Sequence, residues 1–160
     1  MLVTGELTDA LSCPGINSLV KDLSKNAEPI TVEELERGIK QPNFHLMAVW
    51  EDKTWPEIFG MAVIFFVWRP EGWTGQIHSV VVGKQHRGKG IGGMLMNALL
   101  QIAGDFSRLQ NKKIKVELTS NPNNPDRAAA IKMYEKYGFK LVAQSVDEHG
   151  TNLYRLVVAP

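Results

Sequence analysis

Residues 80–93 read Val-Val-Val-Gly-Lys-Gln-His-Arg-Gly-Lys-Gly-Ile-Gly-Gly, and this stretch decides the fold. The β-branched apolar run predicts a strand, which passes into a glycine-rich loop and then directly into an apolar helical pattern. Glycines let backbone N–H groups approach a ligand closely, and the first N–H groups of the following helix favour negative charge. The sequence therefore predicts a strand–loop–helix cradle for an anion such as phosphate.

The charge around this loop is one-sided. Residues 72–104 contain no Asp or Glu, whereas Lys84, Arg87 and Lys89 lie in the loop. Local positive charge favours phosphate groups. Over the whole chain, however, 18 basic residues nearly balance 17 acidic residues, so the composition predicts no nucleic-acid partner.

Two common phosphate motifs fit this loop poorly. A Walker loop requires a hydroxyl residue after its lysine, and here a glycine follows. A dinucleotide fingerprint would use Gly88, Gly90 and Gly93, but its acidic residue should end a second strand, whereas Asp105 follows the helix. The stretch could also be a glycine-rich turn that binds no ligand.

The spacing Gln85-x-x-Gly88-x-Gly90 resembles the acyl-CoA pyrophosphate loop of the GNAT superfamily of N-acetyltransferases. A second stretch strengthens the resemblance, because residues 127–139 form an alanine-rich helical pattern with Tyr134 four residues before Gly138. Small bacterial-type members resemble the chain more closely. The resemblance covers roughly residues 44–158, and residues 1–43 match in element order alone.

The resemblance implies an α/β (α+β) fold, with a mixed, mainly antiparallel sheet of six to seven strands flanked by about four helices. We expect one domain over residues 1–160, with a variable N-terminal part at 1–43 and an acyl-CoA-binding core at 44–158. The patterns predict strands at residues 2–7, 44–51, 58–68, 76–82, 114–119, 139–144 and 152–158. They predict helices at residues 17–24, 32–40, 91–104 and 125–138.

Acetyl-CoA is the acyl donor that the resemblance implies, with its pyrophosphate on the glycine loop and its pantetheine along the preceding strand. Many members have Asn where this chain has Arg127, so the helix side of the site departs from the common pattern. The expected acyl-CoA-binding residues are Val80, Val81, Val82, Gln85, Arg87, Gly88, Lys89, Gly90, Ile91, Gly92, Gly93, Asn121, Arg127, Ala130 and Tyr134.

Three residues are candidates for proton transfer. Tyr134 resembles the proton donor to the CoA thiolate, since a phenol with a pKa of about 10 meets a thiol with one of about 8.5; a core tyrosine is the alternative. Glu117 resembles the strand-five glutamate that acts as base in some members, directly or through water; a solvated or structural carboxylate is the alternative. His78 is the alternative base, because a pKa of about 6.5 suits neutral pH. No cluster of Cys and His predicts a metal.

The predicted activity is transfer of acetyl to a primary amine of a small molecule or peptide by direct attack, without metal. The alternatives are a non-catalytic acyl-CoA-sensing domain, an enzyme for a longer acyl donor, and one with an aminoacyl-tRNA acceptor. An aminoacyl-tRNA acceptor needs a broad basic face, and outside the cradle only Lys112, Lys113 and Lys115 cluster. The single Cys13 and the lack of a long apolar run predict a cytoplasmic protein without membrane contact.

The acceptor is not identified by the sequence. Aromatic residues concentrate around the predicted strands at 44–51 and 58–68. They can line an acceptor pocket, pack a core or form the face of a homodimer, and the sequence leaves all three open. These residues are Trp50, Trp55, Phe65, Phe66, Trp68 and Trp73.

Overall fold

The computed structural model describes all 160 residues and has an α+β architecture with one seven-stranded mixed sheet and four helices. The strands are β1 (Leu2–Glu6), β2 (Phe44–Glu51), β3 (Ile58–Arg69), β4 (Gly72–Val82), β5 (Ile114–Ser120), β6 (Lys140–Ala143) and β7 (Asn152–Val158). The helices are α1 (Cys13–Leu23), α2 (Val32–Ile39), α3 (Ile91–Gln110) and α4 (Ala128–Lys136). The strand order is β1-β2-β3-β4-β5-β7-β6, which confirms the predicted fold class.

The chain forms two compact units. The first contains Met1–Phe65 and Ser79–Gln101, and the second contains Phe66–His78 and Ile102–Pro160. None of the four helices combines the length and apolar character that crossing a bilayer requires.

In the first unit, β1, β2 and the first part of β3 form an antiparallel meander over which α1 and α2 close an apolar core. Thr31 and Glu34 form a capping box at the start of α2, with Glu34 N–H donating to Thr31 Oγ1 at 3.1 Å and Thr31 N–H donating to Glu34 Oε2 at 2.7 Å. The core residues include Leu7, Cys13, Ile16, Leu19, Leu35, Leu46, Ala48, Ile58, Met61, Val63 and Val81.

The second unit is built on β5, which pairs in parallel with the start of β4 and antiparallel with β7. Beyond β7 lies β6, the outermost strand, which has only four residues and a register shift between Leu141 and Ala143. The Phe66 ring stacks on Phe106 at 3.9 Å, and Trp73 meets Phe106 edge-on at 5.1 Å. Here the aromatic residues pack against one another, which is one of the roles that the sequence left open.

Three predicted boundaries differ from the structure by four residues or more. α3 does not end at Gly104 but continues to Gln110, where Asn111 takes a left-handed φ of 50° and ends the helix. α1 begins at Cys13 because a proline is compatible with the first turn of a helix. β4 begins at Gly72, four residues earlier than predicted, because its start pairs with β5.

Candidate functional site

The glycine loop follows β4 and holds the backbone in conformations that only glycine adopts readily. Gly88 and Gly90 have φ of 77° and 78°, and a Cβ added at either would meet no atom within 4 Å. Space in front of the loop is therefore open, and the backbone conformation is what requires glycine. The Gly90 carbonyl accepts the N–H of Met94 at 3.1 Å, so the loop leads directly into the first turn of α3.

Contacts within the first unit hold this loop in place. Asp22 of α1 accepts the backbone N–H of Lys84 at 3.3 Å, and its other oxygen lies 3.9 Å from Lys84 Nζ. The Arg87 Nε donates to the Val82 carbonyl at 3.2 Å. The His86 ring is half-buried and stacks on Phe59 at 3.8 Å, which anchors the loop to β3.

The predicted ligand residues of the loop differ in what they can offer. Gln85, Arg87 and Lys89 are exposed, and their side chains are accessible to a ligand. Ile91 has only 1% of its surface exposed, so only its backbone is available. Gly60 on β3 explains this burial, because a Cβ there would lie 2.8 Å from Ile91 Cγ2.

The strand before the loop, β4, is irregular and pairs with β5 only near its start. Pairing between β4 and β5 covers only Thr74–Gln76 opposite Lys115–Glu117. Ser79 has a φ of 54°, a left-handed value that breaks the strand's regular geometry. Val81 is buried, whereas Val80 and Val82 are half-buried.

In the second unit, Tyr134 on α4 is 4% exposed, and its ring meets Phe139 edge-on with centroids 6.3 Å apart. Burial raises the pKa of its phenol, and the positive charge of Arg127 offsets this only partly. The phenol is therefore neutral at physiological pH and keeps its proton available for donation. Tyr137, immediately after α4, is half-buried.

The segment before α4 presents the other predicted residues of this unit. Asn121 Nδ2 donates to the His149 carbonyl and its Oδ1 accepts the Asn123 N–H, each at 2.9 Å, so the side chain is engaged in holding the turn. Arg127 and Ala130 are half-buried, next to exposed small residues at positions 128 and 129. This end of α4 therefore has a low surface that a ligand can approach.

The two candidate bases lie on neighbouring strands of the second unit. Glu117 is 18% exposed, and its Oε1 accepts Arg155 Nε at 2.8 Å and Arg155 Nη2 at 2.6 Å. Glu117 and Arg155 are register partners across β5 and β7, so the pair is fixed by the sheet. Sequence reasoning missed Arg155. His78 is exposed near the end of the paired part of β4.

The fold and the glycine loop together define a protein of the acyltransferase class. The model of the acetyltransferase (GNAT) family matches residues 15–139, which is most of the chain. The chain therefore belongs to the acetyltransferase (GNAT) family. No curated protein sequence matches the chain significantly.

Solved structures show the same fold at low sequence identity. An acetyltransferase of the GNAT family from Streptococcus pneumoniae has a TM-score of 0.75 and 17% identity, with 99% of this chain and 100% of that chain covered. The protein yncA from Salmonella typhimurium, solved with its cofactor acetyl-CoA, has a TM-score of 0.74 and 17% identity over 99% and 93% of the two chains. Glucosamine-6-phosphate N-acetyltransferase from Arabidopsis thaliana has a TM-score of 0.73 and 17% identity over 92% and 97%.

Proposed function

We propose that the protein is an acetyl-CoA-dependent N-acetyltransferase that acetylates a primary amine of a small molecule or peptide by direct attack. The observation that carries this proposal is the loop at Gly88 and Gly90, which opens toward free space and leads into α3. Three basic side chains on the loop complement a pyrophosphate. We further propose that residues 1–160 act as one domain, with acyl-CoA bound by residues 44–158.

The loop residues hold the donor in this proposal. Backbone N–H groups after Gly88 and the Arg87 guanidinium bind the pyrophosphate, and backbone groups of Val80 and Val82 bind the pantetheine. Acetyl-CoA, when bound, supplies an acetyl group activated as a thioester. Asp22 and Phe59 serve by fixing the loop, because both contact it directly.

Proton transfer is assigned to the second unit. The amine nitrogen forms a bond to the acetyl carbon as the carbon–sulfur bond breaks, and the amine gives up one proton. Glu117 accepts this proton, directly or through water, with Oε2, since Oε1 is occupied by Arg155. Tyr134 gives its proton to the departing thiolate and recovers one from solvent. His78 is the alternative base.

The test is a panel of small amines, polyamines, amino sugars and N-terminal peptides, incubated with the full chain and acetyl-CoA, with free CoA thiol as the readout. We expect thiol release that depends on one class of amine and a product heavier by one acetyl group. Tight CoA binding without turnover on any amine would favour an acyl-CoA-sensing domain. Turnover only with a longer acyl-CoA would favour a longer acyl donor, and turnover only with aminoacyl-tRNA would favour a tRNA acceptor.

A further inference from the structure

The second unit contains an open groove that extends from the proposed base Glu117, which lines one of its two parts, to basic and aromatic residues that the proposed reaction does not use. It lies at the turn between β3 and β4 and the turn between α3 and β5, and we call it the hairpin groove. Its two adjoining parts have volumes of about 530 Å³ and 350 Å³, within the usual range for ligand sites. Both parts are lined by Glu71, Gly72, Trp73 and Lys113.

The hairpin groove is strongly basic. Arg69, Lys112, Lys113 and Lys115 line it, and none of them forms an ion pair within the chain. Of its two carboxylates, that of Glu117 is already paired with Arg155, which leaves Glu71 as the one that can offset these four charges. Unpaired cations around a concave surface concentrate anions from solution.

The groove also carries aromatic surface. Trp68 is 61% exposed, which is uncommon for so large an apolar side chain. Trp73 is half-buried, and its edge-on contact with Phe106 fixes the orientation of its ring. An accessible indole beside several lysines can accept a planar group by stacking while its phosphates meet the ammonium groups.

The turn that carries the lysines is held in a defined conformation. The fully buried Ser107 donates its hydroxyl to the Lys112 carbonyl at 2.6 Å, and the Lys112 N–H donates to the Ser107 carbonyl at 3.2 Å. Asn111 takes a left-handed conformation between them. Lys112 and Lys113 therefore leave the turn from a fixed backbone, which reduces the entropy cost of binding.

We propose that the hairpin groove binds a nucleotide, with its base stacked on Trp68 and its phosphates held by Lys112, Lys113 and Arg69. An inorganic anion would gain nothing from the exposed indole, and an acidic peptide without aromatic residues would offer it no ring to stack on. The near balance of charge over the whole chain conceals this local excess, which is why the composition predicted no nucleic-acid partner. The nucleotide can be free or part of a single-stranded RNA, since both present the same chemistry.

The test measures binding of ADP and of an eight-nucleotide oligouridylate to the full chain, with inorganic pyrophosphate as a third probe. The variants are Trp68→Ala and the pair Lys112→Glu with Lys113→Glu. The matched control is the pair Lys25→Glu with Lys40→Glu, which makes the same change in charge at exposed lysines of the first unit. All three carry exposed substitutions, so circular dichroism should show an unchanged fold.

We expect Trp68→Ala to weaken nucleotide binding by about tenfold, the usual effect of losing one stacked base. The Lys112→Glu and Lys113→Glu pair should weaken nucleotide binding by at least about tenfold and reduce the dependence of the affinity on salt concentration. The control pair should change neither the affinity nor its salt dependence. Nucleotide binding must persist in Gly90→Glu, which separates this groove from the glycine loop and so from the proposed acyl-CoA site. Tighter binding of the oligouridylate than of ADP identifies single-stranded RNA as the ligand. Equal or tighter binding of ADP identifies a free nucleotide as the ligand.

The proposal is overturned if neither nucleotide binds, or if the control pair weakens binding as much as the groove pair does. It is also overturned if pyrophosphate binds as tightly as ADP and Trp68→Ala has no effect on ADP binding, because the nucleobase would then contribute nothing to affinity. Loss of binding in Gly90→Glu would assign the nucleotide to the glycine loop instead.

Discussion

Replacing Tyr134 by Phe separates a catalytic tyrosine from a structural one, because the two roles predict opposite changes. The substitution keeps the ring and its edge-on contact with Phe139 and removes only the hydroxyl. If that hydroxyl protonates the CoA thiolate, turnover should fall by about 10² to 10⁴, or about 2.7 to 5.5 kcal/mol in the barrier. CoA affinity should stay within about twofold of the wild type.

The same change should not lower the free energy of unfolding. Phenylalanine keeps the buried ring and its contact with Phe139, and a hydroxyl that faces the bound donor has no partner in the rest of the chain to lose. The free energy of unfolding should therefore change by less than about 0.5 kcal/mol. A core tyrosine with a satisfied hydroxyl would instead lose about 1 kcal/mol.

Alkaline pH gives an independent measure of the same group. The pKa of Tyr134 is raised from 10.0 by burial, so below about pH 10 the phenol is neutral in both the folded and the unfolded chain. As the pH rises from there through the folded pKa, only the unfolded chain releases this proton, and the wild type loses stability. Over that pH interval, Tyr134→Phe should lose less stability than the wild type.

The assays are steady-state release of CoA thiol, calorimetry with CoA, and thermal unfolding at pH 8 and above pH 10. Tyr137→Phe is the matched control, since it removes the same atom three residues away from a half-buried ring. It should leave turnover within about twofold. Equal turnover for wild type and Tyr134→Phe would refute the role in catalysis, and a loss of stability at full specific activity would make Tyr134 a structural residue.

Three further predictions test the loop, the base and the packing. Gly90→Glu should abolish CoA binding by calorimetry while the fold remains, because a carboxylate would enter the phosphate site; unchanged affinity would contradict the cradle. Glu117→Gln should lower turnover mainly at neutral pH and less at alkaline pH, where the amine loses its proton unaided. If only His78→Ala shows this pH profile, His78 and not Glu117 is the general base. Gly60→Ala should lower the free energy of unfolding, measured with a chemical denaturant, by about 1 to 3 kcal/mol, because its Cβ would lie 2.8 Å from Ile91 Cγ2 and 3.1 Å from the Val81 carbonyl oxygen. A Cβ at Gly38 in α2 would meet nothing within 4 Å, so Gly38→Ala should be neutral or stabilising. Equal costs for the two substitutions would contradict the packing argument.

The parts of the fold that depend on local sequence were predictable. The capping box of Thr31 and Glu34 fixes the start of α2 through hydrogen bonds between near neighbours, and the structure confirms it. The glycine loop was also predictable from the sequence, because a left-handed backbone, as at positions 88 and 90, strongly favours glycine. Such features need no knowledge of the rest of the chain.

Features that depend on strand register were not predictable in the same way. Arg155 reaches Glu117 only because β5 and β7 align these two residues, 38 positions apart, and no spacing in the sequence encodes that alignment. The end of α3 was misplaced for a related reason. Gly104 suggested an end, but Ser107 further along bonds to the following turn and so carries the helix on to Gln110.

The short outermost strand β6 affects how copies of the protein meet in a crowded solution. An exposed sheet edge is a template for strands of other molecules, and the exposed Leu141 and Val142 would make such pairing more adhesive. Four residues offer few unpaired N–H and carbonyl groups, and the register shift around Val142 makes their spacing uneven. An incoming strand would therefore find too short and too irregular a ladder to extend, which protects the protein against fibril-like growth from this edge.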